Sequence, residues 1–183
     1  MKKWPVPNSY CNPISSSGSP GSFWENRIDR YHCGVDIYAL PGSDVISIES
    51  GCVVRTEEFT SPSKVPYWNV TYNVLVETKR GLLCRYAELR DVAVNTGDRV
   101  KAGQLIGHVG LVLDTAKITE TSPHYIRKIK ENGSPSMLHF ELWDTRVVDS
   151  DCYLGGNWFG SEKPQNLLDP TEYLESTLET GSF

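Results

Sequence analysis

One heptapeptide, Met137-Leu138-His139-Phe140-Glu141-Leu142-Trp143, alternates strictly between two kinds of side chain. Successive side chains of a β-strand point to opposite faces, so a strand here separates the residues into two sets. Leu138, Phe140 and Leu142 form one set, and Met137, His139, Glu141 and Trp143 form the other. The first set is a core face. The second carries an imidazole and a carboxylate two residues apart, which is rare in a purely structural strand.

A second stretch of the same design, His32-Cys33-Gly34-Val35-Asp36, lies about a hundred residues earlier. If it is extended, His32 and Asp36 share one face with Gly34, while Cys33, Val35 and Ile37 share the other. Two imidazoles and a carboxylate suit a catalytic zinc ion, which takes three protein ligands and keeps a fourth position for water. We therefore predict that His32, Asp36 and His139 bind one Zn²⁺ per chain where the two strands meet.

The rest of the chain is dominated by short apolar segments between glycine and proline turns, which predicts an all-β fold. The predicted strands cover 31–38, 45–49, 52–55, 69–78 and 82–89, with several very short strands between 94 and 107. Two short helices are expected. One starts at Ser122-Pro123 and stops at Asn132-Gly133, and the other starts at Asp169-Pro170-Thr171-Glu172, which has capping-box spacing.

A length of 183 residues suits a single domain. Residues 1–30 are rich in Pro, Ser, Gly and Asn, which predicts an irregular N-terminal arm laid across the domain. Residues 31–145 then form the metal-binding β core, and residues 146–183 form a C-terminal extension that contains the second short helix.

Charge and hydropathy exclude several classes of partner. The net charge of −5 argues against a nucleic-acid partner. No apolar run approaches the ~20 residues of a membrane-spanning helix, so membrane insertion is not expected. The N-terminus lacks the apolar segment of a signal peptide, so either the protein stays inside the cell or a leader precedes this chain.

The five cysteines are scattered and form no C-x-x-C pair, which disfavours a cysteine-based zinc site. Cys52 and Cys84 could pair if their strands adjoin. Free, buried thiols are the expectation we favour.

These motifs together resemble peptidase family M23, the LytM/lysostaphin-type zinc metallopeptidases. His32 and Asp36 match the family's H-x(3)-D motif, and His139 matches the second histidine of its H-x-H-F-E motif. Residues 72–74 and 97–107 match two further family segments, and the resemblance covers roughly residues 30–143. It implies a LytM-like, duplicated-hybrid fold: a twisted antiparallel sheet flanked by a smaller sheet, with a groove walled by segments 57–68 and 111–136.

The chain departs from the family pattern at two positions. The family has two further histidines that assist the metal-bound water and the oxyanion, and their positions here hold Glu88 and Met137. A methionine cannot shuttle a proton or donate a hydrogen bond. A carboxylate near a zinc site can act as a general base, so Glu88 is the candidate base. Simple alternation places Glu88 on the same strand face as Cys84 and Tyr86, and spacing does not decide whether that face meets the zinc.

Two interpretations follow. In the first, the chain is a zinc peptidase that hydrolyses peptide bonds, and a peptidoglycan cross-link is the substrate that the family suggests. Glu88 is then the base, and His124, Tyr86 or Arg85 stabilises the oxyanion. Glu141 either supports the metal ligands from behind or is a strand-surface charge. In the second, the chain is an inactive zinc-binding pseudo-peptidase that binds a peptide or a peptidoglycan strand. The retained zinc triad favours the first.

Two other classes fit less well. The glycine-turn segment at 97–107 also resembles biotinyl and lipoyl carrier domains, but the corresponding residues 47–51 contain no lysine to carry the cofactor. An adaptor with a structural zinc would also bind the metal, and only an assay of turnover separates it from a hydrolase.

Overall fold

A computed structural model describes residues 1–10, 14–131, 133, 136–144 and 150–178 of the chain. Within these residues the strands are β1 (Tyr31–His32), β2 (Val35–Tyr38), β3 (Asp44–Ile46), β4 (Gly51–Thr60), β5 (Thr71–Thr78), β6 (Leu83–Val92), β7 (Arg99–Val100), β8 (Leu105–Val109), β9 (Met137–Trp143), β10 (Tyr153–Leu154), β11 (Asn157–Trp158) and β12 (Leu167–Leu168). The helices are α1 (His124–Glu131), α2 (Thr171–Leu178) and a 3₁₀ turn at Thr115–Lys117.

The strands form a large and a small antiparallel sheet. The large sheet has the order β12-β9-β6-β5-β4-β7, with β2 also paired to β9, and β8 paired to both β3 and β6. The small sheet has the order β1-β11-β10. The predicted all-β class, with a larger sheet, a smaller sheet and two short helices, is confirmed.

The main core covers one face of the large sheet. Leu138, Phe140 and Leu142 of β9 are buried there, as their alternation predicts. Val35 and Ile37 of β2 join them. The opposite face of β9 is therefore left for His139 and Glu141.

The strand predicted at 31–38 is broken in two at Cys33-Gly34. The first part belongs to the small sheet and the second to the large one. Gly34 sits so close to β9 that a Cβ there would lie 2.3 Å from the carbonyl oxygen of Phe140. Because the chain changes sheet here, Cys33 packs with Trp143 in a second cluster rather than with Val35 and Ile37.

Other boundaries also differ from the predictions. β4 continues to Thr60, so the predicted loop at 57–68 begins with four strand residues. Cys52 and Cys84 are both free, so no disulfide joins them. Cys11 and the predicted helix stop at Asn132 lie outside the described residues.

The second helix starts as predicted, because the Asp169 side chain accepts a hydrogen bond from the Thr171 backbone nitrogen (2.9 Å). In the part of the chain that the structure describes, no helix is both long and apolar enough to span a membrane.

Candidate metal centre

Strand register brings two of the three predicted ligands together. Asp36 of β2 is the direct partner of His139 of β9, and His139 is in turn the partner of Ala87 on β6. Directly opposed residues of antiparallel strands share a face, so these side chains lie on the face away from the main core. His32 reaches the same place from β1 of the small sheet. The cluster therefore sits where the two sheets meet.

The three side chains converge at hydrogen-bonding distance. His32 Nε2 lies 3.1 Å from Asp36 Oδ1 and 3.0 Å from His139 Nδ1, and His139 Nδ1 lies 3.0 Å from Asp36 Oδ1. All three residues are buried, with His139 only 2% exposed. Among the described residues they are the only His, Cys, Asp or Glu cluster whose geometry could hold a metal ion.

The outer nitrogen of each imidazole has an acceptor of its own. His32 Nδ1 lies 2.8 Å from the Ser22 carbonyl oxygen, and His139 Nε2 lies 2.9 Å from Glu141 Oε1. These acceptors place a proton on each outer nitrogen. Neutral rings then turn two lone pairs and a carboxylate oxygen toward one another with no hydrogen between them. Such a cluster requires a cation at its centre, either a metal ion or a proton.

Glu141 is the hub of a buried network behind His139. Its Oε2 accepts hydrogen bonds from Arg85 Nη1 (3.0 Å) and Trp143 Nε1 (2.8 Å), and its Oε1 accepts one from the Tyr153 hydroxyl (2.5 Å). Although burial opposes ionisation, the Arg85 guanidinium and His139 lower the pKa of Glu141 to about 2. Glu141 is therefore a fixed negative charge that orients the His139 ring, and not a strand-surface carboxylate.

The pKa shifts of the three cluster residues have different directions and causes. Burial disfavours ionised Asp36, but His32 and His139 outweigh it and hold the pKa of Asp36 well below its ordinary value. Burial likewise disfavours protonated His139, yet its bonds to Asp36 and Glu141 raise its pKa to about 10. In His32 the burial effect prevails and lowers the pKa.

The donor set fits zinc. Two imidazole nitrogens and one carboxylate oxygen are the ligands of many catalytic zinc sites. A tetrahedral ion with bonds of about 2.0–2.1 Å spaces its ligand atoms roughly 3.3 Å apart. The separations of 3.0–3.1 Å need only a slight expansion to accept it. The hydrogen bond from His139 to Glu141 is the support that metal-ligating histidines usually receive.

A comparison with protein families matches residues 30–150 to the family described as "Peptidase family M23". This match covers more than half of the chain. The chain belongs to peptidase family M23. The resemblance drawn from the sequence motifs is thereby confirmed.

The fold of this M23 chain is also similar to solved structures. "The antimicrobial peptidase lysostaphin from Staphylococcus simulans" aligns with 20% identity and a TM-score of 0.56 over 97% of this chain and 56% of the other. LytU aligns with 19% identity and a TM-score of 0.53 over 90% of this chain and 85% of the other. At such identities the likeness shows the fold alone, and this chain spans about half the length of lysostaphin. A comparison with curated proteins found no match.

Glu88 lies within electrostatic range of the cluster, and a bulge in β6 sets its position. Val74 pairs with Tyr86 and Tyr72 pairs with Leu89, so β6 has one extra residue over this interval. Glu88 takes up the irregularity with a left-handed backbone, φ 64°. Tyr86 and Leu89 consequently both face the core. The simple alternation that places Glu88 beside Tyr86 is wrong.

The Glu88 carboxylate is half-buried and makes no hydrogen bond to any described residue. Burial and the Asp36 carboxylate raise its pKa to about 8, against the opposing charges of His139 and Arg27. It is therefore a weakly solvated carboxyl group with an affinity for protons near neutral pH.

The three residues suggested for the oxyanion lie elsewhere. Tyr86 is 1% exposed in the main core, where its hydroxyl accepts a hydrogen bond from the Ile48 backbone nitrogen. Arg85 is buried against Glu141 and Tyr153. His124 is exposed at the first residue of α1, and no contact between described residues joins it to the cluster. In the part of the chain that the structure describes, none of the three makes a hydrogen bond to His32, Asp36 or His139.

Sequence reasoning missed two polar groups that the structure places at the cluster. Arg27, from the N-terminal arm, lies with Nη2 3.4 Å from Asp36 Oδ2 and with Nε 3.0 Å from Glu25 Oε2. No motif marks it. Tyr38 follows Asp36 by two residues in β2 and so shares its face. That spacing could have identified it.

The segments predicted to wall a groove contact each other. Trp68 pairs with Leu113, and the Asn69 backbone nitrogen bonds the Val112 carbonyl oxygen (2.6 Å). Backbone contacts therefore join the two segments, and the groove stays a prediction. Within the first segment Phe59 stacks on the His139 ring, with 5.9 Å between ring centroids.

Proposed function

We propose that this protein is a zinc-dependent peptidase in which His32, Asp36 and His139 hold one zinc ion and Glu88 is the general base. Membership of family M23 supports peptide-bond hydrolysis. The single observation that carries the proposal is the convergence of two imidazole nitrogens and a carboxylate oxygen within 3.1 Å of one another, while the other nitrogen of each imidazole has its own acceptor. Without a metal ion a proton must occupy this cluster, in agreement with the raised pKa of His139.

Bound zinc would supply Lewis-acid chemistry, because it polarises a carbonyl group and brings the pKa of a bound water to about 7. The chain's own residues would do the rest. Glu141 holds the His139 ring by its outer nitrogen, and the Ser22 carbonyl oxygen holds His32 in the same way. Both rings are thus fixed before substrate arrives.

Glu88 would accept a proton from water and later donate it to the leaving group. As the water oxygen forms its bond to the carbonyl carbon, the water proton passes to the Glu88 carboxylate. Glu88 then gives this proton to the amide nitrogen while the carbon–nitrogen bond breaks. A general base that must also act as an acid works best with a pKa near the operating pH. In the metal-free protein burial and the Asp36 carboxylate raise the pKa of Glu88 to about 8, and a bound cation nearby would lower it from there.

For the substrate we propose a peptide, with a peptidoglycan cross-link as the specific candidate. Lysostaphin, which shares the fold, is described as an antimicrobial peptidase. The negative net charge of this chain disfavours nucleic acid as an alternative.

One observation favours a second candidate, an inactive zinc-binding pseudo-peptidase. Met137, which stands where the resemblance places a histidine of the family, begins β9 beside the cluster and offers neither a donor nor a base. The predicted groove would then bind a peptide or a peptidoglycan strand without cleaving it.

Incubation of the zinc-loaded protein with peptidoglycan and with glycine-rich peptides separates the two candidates. New amino termini, detected by mass spectrometry and abolished by a chelator, are the expected result. Binding without new termini would replace the peptidase with the pseudo-peptidase.

A further inference from the structure

We propose that Tyr38 is the hydrogen-bond donor for the oxyanion at this site, the role for which Met137 has no suitable group. This inference rests on the proposed function, because the oxyanion is the carbonyl oxygen that gains charge as water adds. Tyr38 would donate only a hydrogen bond, and its proton would stay on the phenol oxygen. No bond of the tyrosine forms or breaks.

Position is the first support. Tyr38 lies two residues after Asp36 in β2, so both side chains leave the same face of the strand. Its partner across the sheet is Met137, and Asp36 is paired with His139 two pairs earlier, on the same face. Tyr38 is therefore the direct cross-strand partner of Met137, a residue that offers no donor.

The hydroxyl group of Tyr38 lies against the same glycine as the Asp36 side chain. A Cβ on Gly21 would lie 2.7 Å from the Tyr38 hydroxyl oxygen and 3.4 Å from Asp36 Oδ2, so both oxygens flank the same glycine. The Tyr38 hydroxyl and the Asp36 carboxylate therefore lie on the same side of β2, against the same glycine of the arm.

The donor is also available. Tyr38 is half-buried, and no hydrogen bond joins its hydroxyl to any described residue. Arg27 is the other donor nearby, but its nitrogens are engaged with Glu25, Asp36 and Asn157. A hydrogen bond that strengthens as charge develops on a carbonyl oxygen is a large catalytic contribution. Tyr38 is the group placed to provide it.

The test uses inorganic phosphate, a tetrahedral oxyanion, and the variant Tyr38→Phe, which keeps the ring and removes the donor. Tyr72→Phe is the matched control, since Tyr72 is a partly buried strand tyrosine packed against the main core. All three proteins are loaded with zinc, their metal content is measured, and phosphate is titrated by calorimetry. We expect Tyr38→Phe to retain its zinc and to bind phosphate about tenfold more weakly, because a hydrogen bond to a charged group is lost. Tyr72→Phe should match the wild type.

Equal phosphate affinity in Tyr38→Phe and wild type, no saturable binding by the wild type, or loss of zinc in Tyr38→Phe would each overturn the proposal. Once a cleaved peptide is known, Tyr38→Phe should lower kcat by about 10²–10³ with KM nearly unchanged. An equal kcat would refute it. Failure of the peptidase itself gives a different pattern: the wild type cleaves nothing, while the tyrosine-dependent binding of phosphate persists.

Discussion

Asp36 and His139 face each other across β2 and β9, with 3.0 Å between Oδ1 and Nδ1. Their approach depends on sheet register, because a slip of one residue would turn either side chain into the core. His32 belongs to the other sheet and is held by the arm through Ser22. Two proposed ligands are therefore fixed by one sheet, and the third depends on how the two sheets meet.

Removal of a proposed ligand should abolish metal binding. We expect wild-type protein purified without added metal to carry about one zinc per chain, and His139→Ala to carry almost none. The measurement is metal analysis by mass spectrometry. His108→Ala is the control, since His108 pairs with Asp91 (2.6 Å) outside the cluster. Zinc retained by His139→Ala at the wild-type level would disprove the site.

Glu88 should be needed for turnover and not for zinc. Glu88→Gln keeps the shape of the side chain and removes the base, so we expect kcat to fall by about 10²–10⁴ with the zinc content unchanged. The assay is peptide cleavage followed by chromatography. Glu77→Gln, an exposed carboxylate on the neighbouring strand β5, should behave as wild type. Full activity in Glu88→Gln would assign the base to another group.

Sequence alone could predict the parts of the site that follow from alternation. The strand from Met137 to Trp143 has a core face and a polar face, as its pattern requires. Alternation could not predict the local irregularities of the strands. The change of sheet at Gly34 depends on close contact with the Phe140 carbonyl group, and the placement of Glu88 depends on a bulge in β6. Neither of these two features produces a repeating pattern of residues in the sequence.

Long-range contacts account for the other differences. Arg27 and the Ser22 carbonyl oxygen come from an arm without regular structure, so no pattern of apolar residues relates them to the cluster. Tyr153 reaches Glu141 from the small sheet, across a gap in sequence that only the fold closes. Tyr38 is the exception, because its spacing from Asp36 along β2 is enough to predict that the two side chains share a face.

Glu141, the hydrogen-bond partner of His139, should increase the affinity of the site for zinc. Glu141→Gln removes the charge that orients the imidazole, and we expect zinc affinity to fall by about 10–100-fold. Competition with a chromophoric chelator measures the dissociation constant. Glu77→Gln again serves as the control. If Glu141→Gln bound zinc as tightly as wild type, Glu141 would be only a structural partner of Arg85.

The same carboxylate should make the metal-free protein sensitive to acid. The pKa of Glu141 in the folded protein, about 2, is below its ordinary value of 4.5. Its contribution to the free energy of unfolding is therefore complete above pH 4.5 and is lost as the pH falls toward 2. The loss is on the order of 3 kcal/mol. Urea unfolding across this range should show a shallower pH dependence for Glu141→Gln than for wild type. Parallel curves would contradict the depressed pKa.

Gly156 should be required for the position of the His139 imidazole, which it contacts. Its φ of 77° disfavours other residues, and a Cβ there would lie 2.6 Å from His139 Nε2, the nitrogen that bonds Glu141. Gly156→Ala should therefore strain the backbone and displace the ring, lowering zinc affinity at least tenfold. Gly81→Ala is a matched control, because Gly81 has a φ of 80° with no atom within 4 Å of its added Cβ. Both variants should lose roughly 1 kcal/mol or more in thermal or urea unfolding, but only Gly156→Ala should lose zinc. Equal zinc affinity in the two variants would mean that the His139 ring tolerates displacement, and that the glycine serves the backbone alone.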